Sequence, residues 1–303
     1  MSNRPKDRGP ADPFLSDPSR REFVAFTAVA GLAAYGGVAA AAEADVVAKD
    51  VVITTADGKC DAAFFHPATG THPGVLIWTD AFGLRPTFRD LGKRLAAHGY
   101  AVLVPNPFYR MAKAPIYTEA EVSSFDFQDA ARMAKVKQFM ASATAPGAAE
   151  ADAKAFIAFL DASTQVNRAR KLGTQGYCMG GALVLRTAAT VADRIGAGAS
   201  FHGGGLVTDK PDSPHLLAPK IKARLYIAIA SNDDQRQPDA KDKLRQAFAA
   251  AGVAADIEVY AGAQHGWCVA DMPLRNGEPL YSKADAERAW SKLLGLYEAT
   301  LPS

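Results

Sequence analysis

"KLGTQGYCMGGALVLRTAATVADR", residues 171–194, decides the fold. Residues 171–178 read as a strand and 180–194 as a helix, with glycines on both sides of Cys178 at the handover. The spacing Gly176-x-Cys178-x-Gly180 is that of a nucleophile elbow, with cysteine where serine is usual. Glycines let the chain turn sharply with little crowding, so the sulfur projects clear of a sheet. The helix that starts there brings backbone N–H groups and a positive dipole end to the sulfur, which favours a thiolate. Alone the pattern is weak, because glycines at a strand–helix junction and buried cysteines are both common packing devices.

Outward from this turn the chain alternates strand-like and helix-like runs. Residues 46–67 read as two strands around the turn signal Asp57-Gly58. "GVLIW" (74–78) is short and almost wholly apolar, as in a strand buried on both faces of a mostly parallel sheet. "PTFRDLGKRLAAHG" (86–99) places Phe88, Leu91, Leu95 and Ala96 on one helical face, and Gly99 ends it. Strand "YAVLVPNP" (100–107) is followed by a helical region over 118–163, broken near 141–149 at Pro146 and Gly147. Past the elbow come strands at 195–203, 223–231 and 255–262, with helices at 238–252 and 282–301. Residues 203–220, rich in Pro and Gly, read as a long loop bordering the site. This alternation predicts one doubly wound α/β domain with about seven or eight mostly parallel strands flanked by helices.

In such sheets ligands bind beyond the C-terminal strand ends. Three ends carry chemistry in one order: Cys178, then Asp233 and Asp234, then His265. Nucleophile, acid, histidine is the chain order of the α/β-hydrolase triad. Histidine can take and return a proton, and a carboxylate on its other nitrogen sets the tautomer. Asp233 is favoured by its offset from the strand, whereas counting back from Pro238 favours Asp234. Each residue has a plainer reading: a packing cysteine, a histidine beside a turn glycine, and solvated or helix-capping aspartates. Three suitable residues, each just after its own strand, outweigh those readings together.

The N-terminus has a separate logic. "SRREFVAFTAVAGLAAYGGVAAAAEADVV" (19–47) runs from Arg20 and Arg21 through a modestly apolar stretch to small residues near Ala40–Ala42. That order is a signal peptide, and S-R-R-x-F is similar to the twin-arginine export signal. Residues 1–44 are therefore expected to be a leader cleaved near Glu43 or Ala44, placing the domain at 45–303 in the periplasm. The competing reading is an uncleaved membrane anchor. With 303 residues, 49% apolar and 22% charged, and a net charge of +2, the rest reads as globular, with no case for nucleic acid or an anionic membrane surface. The three cysteines leave two options: Cys60 paired with Cys268, or three reduced thiols.

The motifs "WTDAFGLRP" (78–86), "VPNPFYR" (104–110), "GYCMGG" (176–181), "ASNDD" (230–234) and "AQHGW" (263–267) resemble those of the dienelactone hydrolase family from about residue 50 onward. The resemblance implies an α/β-hydrolase fold without a large cap and a cysteine that attacks a lactone or small ester carbonyl. It makes Cys178 the nucleophile, His265 the general acid/base and Asp233 the orienting acid, with Asp234 the alternative. It assigns the oxyanion hole to the Ala81 and Met179 amides. It also puts Asp80, where the family usually has glutamate, beside the thiol. Of the two arginines that hold substrate carboxylates in the family, Arg110 fits the first. The second would follow the histidine closely, and only the more distant Arg275 is available. His202, Phe82 and Trp267 could line the pocket, with core packing or a structural hydrogen bond as the simpler roles.

No H-x-x-x-H or C-x-x-C pair, phosphate loop or dinucleotide fingerprint occurs, so no metal or cofactor is expected. The expected partner is a small-molecule ester or lactone. Two rival readings stand beside a hydrolase: a thiol-based redox or peroxide-responsive protein, and a non-catalytic binding protein on the same scaffold.

Overall fold

The computed structural model describes residues 45–275 and 277–301, so the expected leader over 1–44 lies outside the described residues. In chain order the elements begin with β1 (Val46–Thr55), β2 (Gly58–Pro67), β3 (Gly74–Trp78), α1 (Pro86–Ala97) and β4 (Ala101–Pro105). Then come α2 (Glu119–Ser123), α3 (Ala130–Ala143), α4 (Ala148–Ala162), β5 (Leu172–Tyr177), α5 (Met179–Thr190) and β6 (Ile195–Phe201). A 3₁₀ helix (Pro214–Lys220) leads to β7 (Arg224–Ala230), α6 (Ser231–Arg236), α7 (Ala240–Ala250) and β8 (Ala255–Tyr260). A small hairpin, β9 (Leu274–Arg275) and β10 (Glu278–Pro279), precedes α8 (Lys283–Thr300).

Among the described residues, eight strands form one sheet in the order β1-β2-β4-β3-β5-β6-β7-β8. The β1–β2 and β2–β4 pairs are antiparallel, and every pair from β4 to β8 is parallel. Alternate side chains of β3 serve opposite faces: Leu76 and Trp78 join the core with α4, α5 and α7, while Val75 and Ile77 join the core with α1 and α8. Helices thus cover both faces, which is why β3, β4 and β5 are buried along their whole length. No large cap is present among the described residues.

The doubly wound reading therefore holds, with four local differences. The stretch carrying Asp233 and Asp234, expected as a loop, is helix α6; the loop at 203–220 contains a 3₁₀ turn; and the β9–β10 hairpin was not foreseen. The helical region 118–163 has a second break at 124–129, where Asp129 caps α3 by accepting from the Ala131 and Arg132 amides. The cysteine question is also decided. All three thiols are free, and Cys60 and Cys268 belong to cores on opposite faces of the sheet.

Candidate active site

Cys178 stands between β5 and α5 with φ 52° and ψ −115°, a left-handed backbone that a non-glycine residue adopts only when its surroundings impose it. Here they do. The Cys178 amide donates to the Phe201 carbonyl (3.1 Å) and to His202 Nδ1 (3.2 Å), and its carbonyl accepts from Gly181 and Gly204. The glycines are sterically required. A Cβ on Gly176 would lie 2.2 Å from the Gly180 oxygen, and one on Gly180 would lie 2.6 Å from the Trp78 and Thr79 oxygens. The elbow is thus packed directly against the end of β3, the strand whose following loop carries Asp80 and Ala81.

His265 follows β8. Its amide donates to Asn232 Oδ1 (2.8 Å), and its Nδ1 lies 2.6 Å from Asp233 Oδ2. A carboxylate only accepts, so the proton sits on Nδ1 and Nε2 is left for the other side of the ring. Cys178 lines the same cavity as His265 and acts on the charge of its ring. Burial opposes a charge on His265, but the negative charge available at Cys178 and the bond to Asp233 outweigh it, holding the pKa up at about 10. Asp234 instead pairs with Lys241 at 2.7 Å, so the carboxylate at His265 is Asp233.

Cys178, His265, Ala81 and Asp80 line one cavity of about 460 Å³, within the range of small-molecule sites. Met179 is buried at the first position of α5. Among the described residues the Ala81 and Met179 amides have no hydrogen-bond acceptor. Asp80 is placed at the cavity, but its oxygens are occupied. Arg85 binds both of them (2.7 and 2.9 Å), and the Phe82 amide adds a third bond. The same guanidinium is clamped by Asp271 (2.7 and 2.8 Å) and lies against the Phe82 and Phe88 rings. Asp80 therefore spends its carboxylate in a buried ion cluster with Arg85 rather than standing as a free group beside the thiol.

Arg110 is a second correction. It is not among the residues lining the cavity; Asp152 binds it through two bonds of 2.8 Å and Asp57 through bonds of 2.6 and 2.9 Å. Its fork is used up in tying the β1–β2 turn to α4. Arg275 does line the cavity, as does Arg236, which sequence reading missed. Phe82 lines it too, whereas Trp267 is fully buried, stacked on Tyr260 and edge-on to His202.

His202 is buried, has φ 40°, and packs edge-to-face on His265 with ring centroids 4.8 Å apart. Burial and the neighbouring His265 push its pKa well down, so the ring is neutral. Other residues at the site left weaker traces in the sequence. Asn232, in the short helix α6, and Asp271, in the segment after His265, are single polar residues, and Phe125, Met133, Val136 and Met140 read as ordinary helix-face residues.

Comparison with known proteins agrees with this architecture. The model of the dienelactone hydrolase family matches residues 60–301. Over 254 residues, 82% of this chain and 79% of the relative, the sequence is 28% identical to a Methylorubrum extorquens protein provisionally named carboxymethylenebutenolidase. It is 26% identical to the carboxymethylenebutenolidase of Rhodococcus opacus, over 80% of this chain and 88% of that one. Among solved structures, a dienelactone hydrolase-like promiscuous phosphotriesterase from metagenomic libraries superposes with a TM-score of 0.68 at 22% identity, covering 84% of this chain and 99% of the other. At that identity the superposition speaks to fold alone.

Proposed function

The chain belongs to the dienelactone hydrolase family and is a hydrolase, and from that premise we propose that it cleaves a lactone or small carboxylic ester with Cys178, His265 and Asp233 as its triad. The observation that carries this reading is His265 between the Asp233 carboxylate, 2.6 Å away, and the Cys178 side chain at the tip of a strained elbow. The relatives' name refers to opening a butenolide, which is a lactone.

In this mechanism the Cys178 sulfur, its proton held by His265, attacks the carbonyl carbon. The carbonyl oxygen becomes an oxyanion facing the unengaged Ala81 and Met179 amides, one of them at the N-terminus of α5. As the carbon–oxygen bond breaks, His265 gives its proton to the departing alkoxide, leaving a thioester on Cys178. The sulfur gave up its charge when it bonded to the carbonyl carbon, so in the thioester the thiolate that favoured a protonated His265 is gone. The imidazole can then take a proton from water, whose oxygen attacks the thioester, expels Cys178 and releases the acid. One set of residues serves both half-reactions because acylation itself lowers the histidine's proton affinity.

We further propose that the chain is exported through its twin-arginine-like leader, as the S-R-R-x-F stretch suggests. The central test is Cys178→Ala. The variant should fold, as circular dichroism will report, and lose hydrolysis of p-nitrophenyl acetate by at least about 10³-fold. Mass spectrometry of the unaltered enzyme quenched during turnover should find the acetyl group on Cys178. Undiminished turnover in the variant would end the assignment.

A further inference from the structure

Building on the hydrolase reading, we propose that the preferred substrates are uncharged esters with an aromatic or branched apolar group beside the scissile bond, and that small anionic esters are disfavoured. The cavity walls carry this. Phe82, the residue after the Ala81 amide, packs on Phe125 at 4.9 Å between ring centroids and on Phe127 at 6.4 Å. Met133, Val136 and Met140 of α3 extend the same wall, and Met272, Leu274 and Leu280 face the cavity from the segment after His265. A group projecting from a carbonyl held at Cys178 and Ala81 thus meets aromatic rings and thioethers, which favour flat or branched apolar shapes.

The charged groups point the same way. Arg110 is committed to Asp57 and Asp152, and Arg85 to Asp80 and Asp271. Arg236 and Arg275 line the cavity but are exposed to water: the Arg236 side chain is 68% exposed and already paired with Asp233, and Arg275 is exposed. An attraction across water is weak and screened. A substrate carboxylate against the Phe125–Met140 wall would lose its hydration and gain no buried partner. Phe127 and Leu274, both large, apolar and exposed, continue this surface to the mouth.

The test uses the full chain in a pH-stat assay with ethyl acetate, ethyl phenylacetate, benzyl acetate and monoethyl succinate. At least one of the two aromatic esters is expected to exceed ethyl acetate in kcat/KM by about tenfold or more, with monoethyl succinate below ethyl acetate. Phe125→Ala should lower the ratio of the preferred aromatic ester to ethyl acetate by about tenfold. Cys178-dependent turnover that favours ethyl acetate or monoethyl succinate would overturn this inference and leave the hydrolase reading intact. No turnover of any of the four, with Cys178 unacylated, would overturn both. If Phe125→Ala fails to fold, the substrate order of the unaltered enzyme still decides the matter.

Discussion

Asp233 and Asp234 are neighbours of the same type, and only the direction each side chain takes from α6 separates them. Asp233 meets His265, and Asp234 meets Lys241 on α7. Replacing Asp233 with Asn should cut kcat by about 10³-fold or more through the wrong tautomer of His265, whereas Asp234→Asn should stay within about tenfold of the unaltered enzyme. Steady-state kinetics on one ester separates the two. Stability carries the same signature. His265 is raised to about 10 in the folded chain, from an ordinary value near 6.5. A raised histidine contributes stability that is fully present below about pH 6.5 and is lost as pH climbs through about 10. Urea midpoints should therefore fall more steeply between those pH values for the unaltered protein than for Asp233→Asn. Equal slopes would show that this contact does not set the histidine's proton affinity. The order of the proposed triad, Cys178, an aspartate and His265, is visible in the sequence because each follows an apolar strand, whereas the choice of aspartate rests on a one-residue count.

Between elements, the loop from β3 to α1 is held by ions. Arg85 is fully buried and joins Asp80 in that loop to Asp271 in the segment after His265. Two segments lining the cavity are thereby fixed to each other, one carrying Ala81 and the other Met272. Arg85→Met should destabilise the fold by about 3–5 kcal/mol, measured by urea unfolding, because two buried carboxylates lose their only shared cation. Nothing local in "GLRP" marks this arginine as buried, since its partners lie 5 and 186 residues away. Helix α6 and the β9–β10 hairpin escaped notice for a related reason: elements of six and two residues are too short to show a period. The long alternating elements were readable, since strands buried on both faces and amphipathic helices each leave a repeating pattern.

Across the whole molecule, Arg110 connects parts that are distant along the chain. Asp57 in the β1–β2 turn, Asp152 in α4 and Tyr109 beside it converge on one guanidinium, with Tyr109 also reaching Thr55. This anchors the antiparallel end of the sheet to the helical layer. Arg110→Ala should lower stability by about 3 kcal/mol, because Asp152 would be buried without its partner. It should also leave unchanged the ratio of kcat/KM for monoethyl succinate to that for ethyl acetate. A selective loss on the anionic ester would return Arg110 to substrate binding. Fold class, the elbow and the Cys178–Asp–His265 order were determined by the sequence alone, since glycine spacing and apolar periodicity are local properties of the chain. Tertiary structure decided which charged groups face substrate and which face each other. A carboxylate or guanidinium is the same on paper in either role, and only the three-dimensional approach of Asp152 to Arg110, Arg85 to Asp80 and Asp233 to His265 supplies the partner that fixes its use.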